Sequence, residues 1–303
     1  MRTTPWARSP RARSRWAKSL WADRNAQLDP ETDHAEIYRN LTLYEFPWDF
    51  NQSLGFALFR TYAVPSIGSL LDATGQFTGA CQKRYDDTGI LLEAPLVSGF
   101  ASHDGKVAIK RINQMHRMYD ISNDDLRYVL STFVVVPKRW LDDYGWRRLS
   151  EGELRASVNY YRELGRHMAI KDVPETYDGF ATLMDAYEAE HFAYDAGARR
   201  VADATLALMV SFYPRPAAKG VDVFSRALMD PPLLAAFRYD DPGPAARRAS
   251  SAALRARARV LARAPSRRKP VYVHDLAKVT SYPDGFDLAA MGTFTPGCPV
   301  PHR

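Results

Sequence analysis

Apolar residues recur at helical spacing along most of the chain, while strand-like alternation is weak, so the pattern predicts a mainly α fold. The clearest start is Ser150, where Ser150 and Glu153 form a capping box and Leu149 with Leu154 can form a hydrophobic staple. That helix is expected to run to Leu164, with Gly165 as its C′ residue. Ser122 opens a second helix, with Asp124 and Asp125 in the first turn and Ile121 and Leu126 as the staple; Pro137 is expected to stop it. A third begins after Pro174 and runs through Met184 and Tyr187 toward Tyr194. Gly197 is expected to break or kink the chain before a fourth helix, Arg199 to Phe212. Upstream, Thr74 to Thr88 and Asp104 to Tyr119 read as helices, with Asp104 as an N-cap. Downstream, Pro242 to Ala262 reads as an Arg-studded helix, and Tyr282 to Gly285 as a turn.

The elements group into residues 1–35, a basic arm, and 36–303, one helical domain with an Arg-rich helix near 242–263 and a mixed tail from Pro270. At 303 residues the chain can bury a full core, and hydrophobic residues at 46% with charged residues at 25% are ordinary for a globular protein. No apolar run reaches the length of roughly eighteen residues that a transmembrane helix needs. The N-terminus lacks the apolar stretch of a secretory signal, and a cytoplasmic chain is expected. Cys81 and Cys298 match no zinc spacing and fit reduced thiols. The net charge of +6 gathers in Arg2 to Lys18 and Arg247 to Lys269. Solvated helix faces account for this better than a nucleic-acid partner, because no recognition element accompanies the charge.

Candidate chemistry sits on the two upstream helices. Phe77, Cys81, Arg84 and Thr88 share one helix face, so Arg84 and Thr88 point partly inward. An inward guanidinium needs a partner. Two readings stay open: an anionic or polar bound group, or a salt bridge to Asp86, Asp87 or a distant acid, with Thr88 bonding back to its own helix. On the second helix Ile109, Ile112, His116 and Tyr119 share a face, which puts the His116 imidazole among apolar side chains. One histidine cannot build a zinc site, but it suffices for haem, whose porphyrin supplies four nitrogens. His167 and His191 show no metal-ligand spacing, and nucleotide-loop and nucleophile-elbow patterns are absent.

Several segments together resemble the MpaB-type oxygenases, whose relatives include the latex-clearing rubber oxygenases. They are TYAVPSIGSLLDATGQF (Thr61 to Phe77), KRYDDT (Lys83 to Thr88) and INQMHRMYDISNDDLRYVLSTF (Ile112 to Phe133). YGWRRLSEGE (Tyr144 to Glu153) and ELGRHMAIKDVP (Glu163 to Pro174) continue the likeness, with a weaker echo in Ser281 to Phe294. The resemblance implies a globin-like helical core around a b-type haem, with iron as the metal, and oxygen-dependent cleavage of isoprenoid double bonds. It makes His116 the proximal ligand and places Arg84 and Thr88 near the oxygen-binding side.

Two departures bear on the chemistry. Asp87 stands where the rubber oxygenases carry a lysine, and Ser66, Ile67, Gly68 and Ser69 occupy the stretch where they carry a glutamate base. Asp72 or Asp87 is the candidate substitute. The expected function is a haem oxygenase taking dioxygen and a small hydrophobic, isoprenoid or natural-product substrate. The alternatives are a peroxidase-type enzyme using hydrogen peroxide, or a non-catalytic haem sensor or helical binding protein. Asn123, Asp124 and Tyr119 have capping and packing roles beside any role near the site. Trp140, Trp146 and Arg147 are either aromatic core or a propionate-binding cluster.

Overall fold

Ser150 begins its helix as its sequence dictates: its hydroxyl accepts from the Glu153 backbone N–H at 3.2 Å, and the Glu153 carboxylate accepts from the Ser150 N–H at 2.9 Å. A computed structural model describes residues 20–292, and among them all regular structure is helical. In chain order the helices are α1 (Leu20–Asn25), α2 (His34–Arg39), α3 (Pro47–Thr61), α4 (Pro65–Ala73), α5 (Gln76–Gly79), α6 (Cys81–Ser98) and α7 (His103–His116). There follow α8 (Asn123–Tyr144), α9 (Glu151–His167), α10 (Tyr177–His191), α11 (Ala196–Ser211), α12 (Ala218–Ala227), α13 (Pro231–Phe237) and α14 (Gly243–Leu261). A π-helical segment, Asn40–Glu45, joins α2 to the loop before α3.

The long α8 is the centre of the bundle and packs against α3, α10, α9 and α14. Tyr128, Val135 and Leu141 on it are almost wholly buried. The main core also takes in Ile90, Leu91, Ile109 and Ile112 from α6 and α7. A second apolar cluster gathers the end of α3, α5, α11 and α13, around Tyr62, Phe77, Val201, Leu206 and Phe237. Between the layers, Arg60 bonds both oxygens of Glu188 and also reaches Asp230, while Tyr128 donates to Glu188 at 3.1 Å. Guanidinium and carboxylates thus enter the interior as a satisfied group.

Several boundaries differ from the pattern in the sequence. Pro137 does not stop α8, which continues to Tyr144. The backbone hydrogen bond lost there, worth up to ~3 kcal/mol in an isolated helix, is offset by burying Pro137 and the turns beyond it. Gly165 is inside α9 rather than beyond it: an added Cβ would lie 2.8 Å from Leu130 Cδ2, so the glycine permits close contact with α8. Gly197 lies in the first turn of α11, which Asp195 caps, and the break comes earlier, between Phe192 and Asp195. The stretch expected as one helix from Thr74 to Thr88 is split at Ala80 into α5 and α6. Ser102, not Asp104, caps α7, accepting from Gly105 N–H at 3.0 Å, and α7 ends at His116 rather than Tyr119.

Part of the stretch expected as a basic arm is packed against the rest of the chain. Trp21 in α1 is buried, and its indole N–H donates to the Arg267 carbonyl at 2.8 Å. Residues 1–19 of that arm lie outside the described residues, as does Cys298. Much of the Arg-rich helix is also structural. Arg257 pairs with the buried Asp49 at 2.9 Å and lies over the Trp48 ring, and Arg247 pairs with Asp241.

Candidate active site at the α6–α7 interface

The Ile109, Ile112, His116 face of α7 turns into the protein: both isoleucines are buried, and the imidazole of His116 follows them at the last turn. The ring keeps a partly exposed edge, but its Nδ1 atom is enclosed and has no hydrogen-bond partner. Burial, assisted by the positive charge of Arg84, lowers the His116 pKa from 6.5 to about 4. The ring is therefore neutral near pH 7, with a lone pair on one nitrogen. Tyr119 lies beyond the helix end, its N–H donating to the His116 carbonyl at 3.1 Å.

Arg84 and Thr88 sit one turn apart on α6. The guanidinium donates to Thr88 Oγ1 at 3.1 Å, and the same hydroxyl donates back to the Arg84 carbonyl at 2.8 Å. The cation lies 5.8 Å from the Phe77 ring centroid. No carboxylate among the described residues pairs with it, which removes the salt-bridge reading for Asp86 and Asp87. Asp86 accepts instead from Gln82 and from backbone and hydroxyl groups of Thr280 and Ser281; Asp87 accepts from Lys83 and Tyr282. The α6–α7 interface thus brings together a neutral histidine with an enclosed, unpartnered nitrogen and a guanidinium without a carboxylate.

Such a set fits haem. Among the described residues no group of three or more His, Cys, Asp or Glu side chains could hold a metal ion. A macrocycle carrying its own four nitrogens asks the protein for one neutral imidazole, and His116 is the residue that would hold it. The aromatic cluster near Arg147 does not fit a propionate. Arg147 is already bound to Glu45 at 2.9 Å and Glu153 at 2.6 Å, and Trp140 donates to Asp49 at 3.2 Å. Asn123 clasps the backbone of Lys171, and Asp124 pairs with Arg127, so both are structural. His167 stacks on Phe100, and His191 packs at a tilt against Tyr187.

Residues 51–264 match the family model described as the ER-bound oxygenase mpaB/B′ and rubber oxygenase catalytic domain. The chain belongs to this family. Two relatives from Penicillium brevicompactum, the ER-bound oxygenases mpaB′ and mpaB, are 31% and 33% identical to it, each over 69% of this chain. The ER-bound oxygenase mpaB of Penicillium roqueforti is 30% identical over 67% of it. The chain spans 53%, 58% and 74% of these relatives' own lengths, so the match is to part of each. Arg84, Thr88 and His116 all fall inside the matched residues. Although the relatives are called ER-bound, no single described helix here is long and apolar enough to cross a membrane.

The stretch Ser66 to Ser69 carries no carboxylate, and its packing is tight at Gly68. A Cβ on Gly68 would lie 2.3 Å from the Tyr62 carbonyl oxygen and 2.4 Å from Ala198 Cβ, because α4 and α11 meet there. A larger side chain at that point would force the helices apart. Ser66 and Ser69 are turned to other tasks, donating to Asp125 at 2.9 Å and to the Pro65 carbonyl. Neither substitute carboxylate is at liberty. Asp72 pairs with Arg200 at 2.5 Å, and Asp87 is 1% exposed between Lys83 and Tyr282. The environment of Tyr62 is legible only in three dimensions: its ring meets Phe77 edge-on at 5.4 Å, and the charge of Arg84 reaches its hydroxyl.

Proposed function

We propose that this member of the mpaB and rubber oxygenase family is a haem-dependent oxygenase acting on a small hydrophobic substrate, with His116 as the protein ligand to the iron. The supporting observation is the enclosed, unpartnered Nδ1 of a histidine kept neutral to about pH 4. Bound haem would supply the iron centre at which dioxygen is activated. The chain's own contribution is electrostatic and steric. Arg84, held by Thr88 and backed by Phe77, keeps a fixed positive charge beside His116, ready to stabilise negative charge that develops there. Thr88 has both its bonds within its own turn, so it orients the guanidinium. Ile109, Ile112, Tyr62 and Phe77 are buried around this interface and suit an apolar, isoprenoid-like or natural-product-like substrate better than a charged one. The oxidation does not use Asp72 or Asp87 as a base, since each is committed to a cation.

The test is spectroscopic. Full-length protein produced with haem supply is expected to show a Soret band, which His116→Ala shifts or abolishes. A colourless protein that rejects added haemin would overturn the proposal.

A further inference from the structure

The segment after α14 has no helix among residues 264–292, yet it is fixed along α6 in the opposite direction by three buried carboxylates. Glu93 accepts from the Val273 N–H and from His274 Nδ1 at 2.7 Å. Two turns earlier on α6, Asp86 accepts from the Thr280 N–H at 3.1 Å, the Ser281 N–H at 3.0 Å and the Ser281 hydroxyl at 2.6 Å. Asp87 accepts from the Tyr282 hydroxyl and from Lys83 at 2.6 Å. Asp86, Asp87 and Glu93 are 0%, 1% and 5% exposed, and a carboxylate so buried is costly unless its lone pairs are met. The strap provides most of the donors.

The strap also reaches α7. Arg111 Nε donates to the Met291 carbonyl, and Gly292 fits against Met115 so closely that a Cβ there would lie 2.3 Å from the sulfur. Its first half lies as close to α6, where a Cβ on Gly89 would come within 2.8 Å of Val273. Between these points the Lys278 amine crosses the faces of Tyr85 and Phe212 to reach Asn51. One extended segment is therefore bonded to both helices that present the site, Arg84 and Thr88 on α6 and His116 on α7. It lies beyond the residues that match the family model.

We infer that residues 271–292 form a clamp that sets how α6 and α7 face one another, which makes Ser281 and Tyr282 positioning residues for the Arg84–His116 pair. Asp87, where the rubber oxygenases carry a lysine, is an anchor of that clamp. The spectroscopic part of the inference rests on the haem reading; the mechanical part does not. A strap that only covered apolar surface would need neither buried acids on α6 nor a bond to α7.

Hydrogen exchange on the full-length protein without haem tests the mechanical part. Tyr282→Phe removes the donor to Asp87 while keeping the ring. It is expected to speed amide exchange roughly tenfold in α6 around Arg84 to Ile90 and also in α7 from Ile112 to His116, leaving α9 unchanged. After haem loading, the Soret band of this variant should move or broaden relative to the parent. Ser281→Ala should act in the same direction more weakly, and Ser281→Thr, which keeps the hydroxyl, should restore parent behaviour. Faster exchange confined to the strap, with α7 and the Soret band unchanged, would overturn the inference. If Tyr282→Phe does not fold, Ser281→Ala carries the same comparison, because Asp86 keeps its two backbone donors. A parent protein that takes up no haem would fell the haem reading, and the exchange data alone would then decide the clamp.

Discussion

Arg84 on α6 holds down the basicity of His116 on α7, adding to the larger effect of burial to bring the imidazole pKa to about 4. This relationship fixes a pH dependence for the haem-free protein. In the unfolded chain the histidine takes a proton near its ordinary value of 6.5, so between about pH 6.5 and 4 the unfolded state binds more protons than the folded one. The histidine's contribution to stability therefore falls on acidification through that window and levels off below it, a cost of up to roughly 3 kcal/mol at 1.36 kcal/mol per pKa unit. Urea titrations of the parent and His116→Leu at pH 7 and pH 4.5 isolate the contribution. The difference in midpoint between the two proteins is expected to widen at the lower pH in favour of the variant, and a constant difference would refute a buried neutral histidine.

The same relationship predicts what Arg84→Met does. With the guanidinium gone, the His116 pKa should rise, because a like charge has been removed. It should remain below 6.5, because burial is the larger cause. An NMR titration of the imidazole reads this directly. Haem uptake should survive in the variant while turnover falls, and loss of overall helicity would mark Arg84 as structural instead.

The starts of α8 and α9 were legible because their caps are local. Ser150 with Glu153, and Ser122 with the Asp125 N–H at 2.9 Å, form the bonds their spacing implies. Helix continuation was not, because Pro137 and Gly165 answer to the packing of α8 against its neighbours. The inward face of Arg84, Thr88 and His116 could be read from periodicity, since a helix displays it every 3.6 residues. The partners of Asp86 and Asp87 could not. They lie about two hundred positions along the chain, in a strap with no periodic pattern. That distance made the two acids look like partners for Arg84, when they belong to the C-terminal segment.

Asp72 is expected to be dispensable for chemistry. Its pair with Arg200 is at the surface, where the arginine is 58% exposed, and such pairs contribute about 0–1 kcal/mol. Asp72→Asn should therefore leave haem binding and turnover near parent values and lower stability by less than about 1 kcal/mol. A collapse of turnover with the Soret band intact would show that this carboxylate is a base after all.

Gly68 lies in the stretch Ser66 to Ser69, where the rubber oxygenases carry a glutamate, and it is the position there with least room for a side chain. Its Cα faces a backbone carbonyl, that of Tyr62, as well as the Ala198 methyl, so only one of the two obstacles can be moved by shortening a side chain. Gly68→Ala should cost about 1–3 kcal/mol through overpacking, seen as a lower urea midpoint with an unchanged slope. Ala198→Gly in the same chain should recover part of that loss, because it clears the methyl and leaves the Tyr62 carbonyl in place. The two sites touch, so their effects should not add. Gly68→Glu should be worse than Gly68→Ala and should not fold stably unless α4 moves away from α11. If Gly68→Glu were as stable as the parent, the contact between α4 and α11 would not restrict side-chain size at this position.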